Sequence, residues 1–149
     1  MSESEVYRMK IIQSGWNNRV RGMPYRIIDI PQDRTLYDFA EIIIDLFQFD
    51  FDHAFGFYSE IKNHYRSPES YELFADMGED TTSKGVKRTL LKNVFREPKK
   101  KWLFLYDYGD EWHFIVEKMQ DVKYDPEEDY YKLIRSEKDP IPQYPDPDE

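Results

Sequence analysis

"WLFLYDYGDEWHFIVEKM", residues 102–119, sets two aromatic and aliphatic runs on either side of Gly109, Asp110 and Glu111. Bulky aromatic and branched side chains suit a pleated surface, and a glycine beside a carboxylate suits a tight turn, so the stretch reads as a β-hairpin. With Gly109 and Asp110 as a two-residue loop, the expected partners are Tyr108–Glu111, Asp107–Trp112, Tyr106–His113, Leu105–Phe114, Phe104–Ile115 and Leu103–Val116. One face then carries Leu103, Leu105, Phe114 and Val116, with Asp107 beside Trp112 near the turn. The other carries Trp102, Phe104, Tyr106, Tyr108, His113 and Ile115. Both faces are largely apolar, which suits a hairpin at the centre of a sheet. A slip of one residue would exchange the faces.

Working outward, "VYRMKIIQ" (6–13) alternates partly and reads as a strand. "SGWNNRVRG" supplies turn residues, and "MPYRIIDIP" reads as a second strand bounded by Pro24 and Pro31. In "DRTLYDFAEIIIDLFQFD", Leu36, Phe39, Ile43, Leu46 and Phe47 recur at three- and four-residue intervals, predicting an amphipathic helix. Thr35 is its expected N-cap, with Asp38 three residues on. "HAFGFYSEI" reads as a strand and "SYELF" as a short partner. "VKRTLLKNVFRE" carries Val86, Leu90, Leu91, Val94 and Phe95, predicting a second helix with a basic outer face. A short helix is expected over 127–135. The order predicts an α+β fold: one compact domain over residues 1–138, with an antiparallel-rich sheet and a terminal aromatic hairpin packed against two helices. Residues 139–149, rich in proline and acid, are expected to be an extended or disordered tail.

The totals narrow the chemistry. The chain has 149 residues, 17% of them aromatic, enough to bury a core. It has no cysteine, which excludes disulfides, Cys-ligated metal and thiol nucleophiles. No signal-type leader or membrane-length apolar run occurs, so a soluble, cytoplasmic protein with no membrane partner is expected. Net charge is −9, which on average disfavours nucleic acid. The average conceals an asymmetry: residues 84–101 hold eight basic residues and one acidic, a net of +7, leaving −16 elsewhere.

"YDYGDEWHFIVEK", together with "LYDFAEIII" leading into "FDFDHAFGF", resembles the plasmid open-reading-frame-three-like family. The resemblance runs over roughly residues 6–118. Family members show an arginine in the second strand, matched by Arg26, and a histidine after the helix, matched by His53. They also show the hairpin residues matched by Asp107, Gly109, Asp110 and Trp112. Their paired glycines near the end are missing here, so no role carries over for the tail. The resemblance implies an α+β fold and a link with mobile elements, and it implies no reaction.

Three groups of residues are candidates for function. In the hairpin, Asp107, Asp110, Glu111 and His113 offer carboxylate and imidazole ligands of the type that Mn, Mg, Zn or Fe takes. The register above, however, puts Asp107 and His113 on opposite faces. The preferred reading is structural: Asp107 accepts hydrogen bonds from turn amides, and Trp112 covers it. In "DFDH" (50–53), an extended backbone turns His53 away from Asp52, and a metal would need ligands from elsewhere. Spacings of the HExxH or EF-hand kind, nucleophile elbows and phosphate loops are all missing, so neither metal nor cofactor is expected.

The third group is the basic segment. Lys84, Lys87, Arg88 and Lys92, followed by Lys99, Lys100 and Lys101, can contact phosphates, with Trp102 or Tyr106 available to stack. Alternatively the acidic C-terminal region pairs with it. The expectation is a non-enzymatic interaction module that binds protein or nucleic acid, with a role as a mobile-element accessory in keeping with the resemblance. The alternative is a small metal-dependent hydrolase using His53, Asp107, Asp110 and His113, which requires at least three of them to converge on an open pocket.

Overall fold

The computed structural model describes residues 6–79, 81–123 and 130–144. Seven strands form a single antiparallel sheet: β1 (Val6–Gln13), β2 (Tyr25–Pro31), β3 (Phe55–Tyr58), β4 (Ser70–Glu72), β5 (Lys101–Tyr106), β6 (Trp112–Val122) and β7 (Lys132–Glu137). Their spatial order is β4-β3-β5-β6-β1-β2-β7. The fold is α+β, with helix α1 (Leu36–Leu46) and the short α2 (Leu73–Asp76).

The first two strands pair as expected, from Val6 against Pro31 to Ile12 against Tyr25. So do β3 and β4. Helix α1 starts where its sequence predicts: Thr35 is extended, and its side chain accepts a hydrogen bond from the Asp38 amide at 3.1 Å. Its apolar stripe is buried against one face of the sheet, where Phe39 stacks on Phe57; just past the helix end, Phe47 packs at a tilt on Phe114.

The aromatic hairpin is central, between β3 and β1, but its register differs by one residue from the expectation. Tyr106 pairs with Trp112, Phe104 with Phe114 and Trp102 with Val116. The connection is the five residues 107–111. A two-residue turn of the favoured type needs positive φ at its central residues, but the positive φ angles fall at Asp107 (64°) and Glu111 (53°) instead. The Glu111 amide donates to the Asp107 carbonyl at 2.6 Å. This slip turns β6 over relative to β5. Trp102, Phe104, Tyr106, Phe114 and Val116 all join the core under α1, while Leu103, Leu105 and Ile115 face a second, smaller core with Ile12, Met23 and Tyr58. The larger rings are thereby gathered in one layer, which gives the register a large hydrophobic preference.

The second predicted helix does not form. Residues 86–95 are an irregular strap with one 3-10 turn, Leu91–Asn93. The apolar residues are buried as their pattern suggested, with Val86, Leu91, Val94 and Phe95 at 2% exposure or less. Their backbone, however, is used by α1. The Leu36 amide donates to the Thr89 carbonyl at 2.8 Å and the Tyr37 amide to that of Val86 at 3.2 Å. Helix N-termini leave amides without intrahelical partners, and here the strap satisfies two of them. A helix over 86–95 would have tied those carbonyls up within itself.

The expected helix over 127–135 is also corrected. Residues 132–135 lie in β7, which pairs with β2 from Asp29–Lys132 to Tyr25–Glu137. Residues 127–129 lie outside the described residues, as do 145–149 of the tail. Residues 139–144 carry no helix or strand. The Ile141 backbone makes two hydrogen bonds with the fully buried Gln13 side chain, at 2.8 and 2.9 Å, and the Gln143 side-chain oxygen accepts from the Asp50 amide.

Candidate functional site

The hairpin turn brings together only part of its predicted cluster. Asp107 is 7% exposed, and its Oδ1 accepts from the Gly109 amide at 3.0 Å and the Asp110 amide at 3.3 Å. This is the turn role expected of an aspartate that has adopted a left-handed backbone. Its other oxygen faces His53 Nε2 at 3.5 Å. The same nitrogen lies 3.4 Å from Asp52 Oδ1 and 3.0 Å from the Tyr144 hydroxyl. His53 therefore turns toward Asp52, contrary to the extended-backbone expectation, because residues 50–53 are bent around Tyr106. The Tyr106 hydroxyl accepts from the Asp52 amide at 2.7 Å and the His53 amide at 3.1 Å, and donates to the Asp50 carbonyl. Burial pushes this phenol up to about 12, so it remains a neutral donor throughout the ordinary pH range.

His113 is elsewhere. Its Nδ1 is 2.7 Å from Asn18 Oδ1 and its Nε2 is 3.6 Å from Glu111. Burial, helped by the nearby His64, lowers its pKa against the opposing pull of Glu111. Asp110 is exposed, and Trp112 packs edge-on against Phe49 at 4.9 Å rather than closing a site. Of the four residues assigned to the hydrolase alternative, only His53 and Asp107 meet. Among the described residues, no group of three or more His, Asp or Glu side chains is placed to hold a metal ion.

The basic segment divides into two places. Lys84 and Arg88 line a groove of about 600 Å³, together with Arg96, Asn93, Ser70 and Thr82. The groove forms because residue 84 bridges to Tyr71 beside edge strand β4, while the strap carries Arg88 and Asn93 back across α1. Arg96 is anchored by Glu69 at 3.0 Å, and Glu69 also accepts from the Tyr71 hydroxyl. Lys84 and Arg88 are exposed and make no side-chain hydrogen bond or ion pair among the described residues.

The remaining cations point elsewhere. Lys87 lies over the Tyr37 ring and Lys100 over that of Trp102, while Lys101 lines a separate groove with Lys10, Arg135 and Lys138. Lys92 and Lys99 are exposed. Trp102 and Tyr106 are buried and offer no stacking surface. Sequence reasoning passes over Arg96, Asn93 and Thr82. Arg96 lies in plain view within the charge run, but the hydroxyl and amide groups carry no spacing signal.

A family model described as plasmid pRiA4b ORF-3-like protein matches residues 5–143. The chain belongs to that family. A crystal structure of a protein of unknown function from Methanosarcina mazei Go1 is similar over 95% of this chain and 75% of that one, with a TM-score of 0.74 at 19% identity. At that identity the likeness is one of fold. No curated protein matches the chain. No helix among the described residues is long and apolar enough to cross a membrane.

The residues that carry the resemblance to the pRiA4b ORF-3-like family are mostly occupied by the fold. Arg26 is 5% exposed, donates to the carbonyls of Tyr25, Glu137 and Lys138, and lies over the Phe47 ring at 4.8 Å. Its burial lowers its pKa. It ties β7 to β2 and to the end of α1. Asp107 shapes the hairpin turn, and His53 fastens the 50–53 bend to Tyr144.

Proposed function

We propose that this domain is a non-enzymatic, cytoplasmic interaction module that binds a nucleic-acid partner through its phosphates. The contact surface is the groove of Lys84, Arg88 and Arg96. The observation that carries this reading is the pair of exposed cations, Lys84 and Arg88, standing without anionic partners among the described residues, in a groove rimmed by Ser70, Thr82 and Asn93. Phosphate oxygens are bound by this combination of cations with hydroxyl and amide donors. The fixed Arg96 adds a planar guanidinium whose orientation is already set by Glu69. The plasmid name of the family agrees with such a partner, and residues 84–101 carry +7 in a chain that is −16 elsewhere.

Fluorescence anisotropy with a labelled oligonucleotide at low salt tests the reading. Lys84→Ala combined with Arg88→Ala should weaken binding by about tenfold or more. Lys99→Ala, Lys100→Ala and Lys101→Ala together should do less, because Lys101 faces the other groove. If about three cations contact phosphates, the logarithm of affinity should fall with the logarithm of salt at a slope near −2 for a single strand. Unchanged affinity in the Lys84/Arg88 variant would sink the reading.

A further inference from the structure

Trp16 and Tyr65 are 90% and 72% exposed, the two most exposed large hydrophobic side chains among the described residues. The backbone beneath Trp16 is nonetheless fixed. Asn17 and Asn18 both take left-handed φ angles, near 60°. Asn18 meets His113, Ser14 bonds the His113 carbonyl through both its amide and its hydroxyl, and the Gly15 amide donates to the Arg19 carbonyl. A short loop is thus held in a demanding conformation while its largest ring contacts solvent.

Tyr65 sits in the 3-10 turn His64–Arg66, with its hydroxyl on Asn63 Oδ1 and the Arg66 guanidinium 5.9 Å from its ring. The two loops that carry the rings meet through His64 and His113. His64 stacks edge-on to Tyr65 at 5.7 Å, lies 6.3 Å from His113, and His113 holds Asn18, two residues from Trp16. Arg19, Lys62 and Arg66 lie on the two loops, against Glu60 and Glu111, while Arg21 lines the separate groove of Lys101. Along the chain, Arg66 is followed by Ser67, the first residue that lines the phosphate groove.

We propose that the nucleic acid bound here is single-stranded, and that Trp16 and Tyr65 are its base-stacking platforms. A cationic track with projecting aromatic rings is the form that sequence-tolerant single-strand binding takes, because every base offers a face for stacking. A duplex keeps those faces inside its stack and cannot use the rings. The proposal rests on the groove reading above and specifies the partner that the groove takes.

Three probes separate the two ideas: an oligothymidylate of about 15 nucleotides, a base-free deoxyribose-phosphate strand of the same length, and the matching duplex. The intact chain should bind the oligothymidylate about tenfold or more tighter than the other two. Its tryptophan emission should be quenched on binding, since Trp102 is 2% exposed and Trp112 half-buried. Trp16→Ala should remove that quench. Trp16→Ala with Tyr65→Ala should reduce oligothymidylate affinity to that of the base-free strand, with base-free binding unchanged. Both side chains are exposed, so the variant should melt like the parent. Equal binding of the base-bearing and base-free strands, or an unaffected double variant, overturns the stacking proposal. The groove reading then still stands if Lys84→Ala with Arg88→Ala weakens both strands, and falls with it if that variant changes neither.

Discussion

The turn at 107–111 and the segment 84–101 that contains the strap are both dense in charge, and the fold treats them oppositely. At the turn the polar groups are largely bound within the fold. Asp107 holds two turn amides, and Tyr106 holds two amides and a carbonyl of the 50–53 bend. On the strap the backbone serves the interior, satisfying the first amides of α1, while Lys84 and Arg88 are left to solvent. A polar residue already committed to the fold is a poor candidate for a ligand contact, because binding would have to replace bonds that it already makes. The difference favours the strap as the functional surface, although the turn has the richer chemistry on paper.

The sharpest way to break this contrast is Tyr106→Phe. Removing the hydroxyl leaves the Asp52 and His53 amides without their acceptor and the Asp50 carbonyl without its donor. The expected loss of stability is about 2–4 kcal/mol, read by urea denaturation, from three hydrogen bonds lost at a fully buried phenol. Oligonucleotide affinity measured well below the unfolding midpoint should not change. A stable Tyr106→Phe variant with lost binding would reverse the assignment of the two regions.

Asp107 gives a smaller and more discriminating effect. Asp107→Ala removes the acceptor for two amides and places a residue with a Cβ, and no local hydrogen bond to offset it, at a φ of 64°. It should cost about 1–2 kcal/mol. Asp107→Asn keeps a carbonyl oxygen and tolerates the left-handed backbone, so it should cost well under about 1 kcal/mol. If asparagine proves as damaging as alanine, the carboxylate charge facing His53, and not the turn, is what the chain uses at this position.

How far the sequence can be read depends on which interactions decide each element. Helix α1 is legible because its cap and its stripe lie within a dozen residues of each other. The burial of Val86, Leu91, Val94 and Phe95 is legible for the same reason. Their backbone conformation is not, since it is fixed by carbonyls reaching to α1 some fifty residues upstream. The hairpin is recognisable, but its register turns on positive φ angles at Asp107 and Glu111, and neither residue announces that in the way glycine does. β7 does not read as a strand because β2, which pairs with it, is about a hundred residues away. Of the candidate site, the cations are visible as a charge run. Their division between two grooves is not, whereas Trp16 already lies among turn residues and Trp102 in an apolar run.

The smallest expected effect joins the two regions through His113, which lies under the Trp16 loop and immediately after the hairpin. Burial and the neighbouring His64 lower its pKa below the usual 6.5, with Glu111 pulling the other way. The unfolded chain therefore takes up a proton at this residue before the folded chain does. Between pH 6.5 and the lowered folded value, the unfolded state binds more protons, so stability falls as pH falls and levels off below that value. The slope from this one group is at most about 1.4 kcal/mol per pH unit. His113→Gln removes the titration, and its stability should fall less than the parent's between about pH 6.5 and 5 in parallel urea titrations. Equal slopes would mean that His113 is protonated without cost in the folded state.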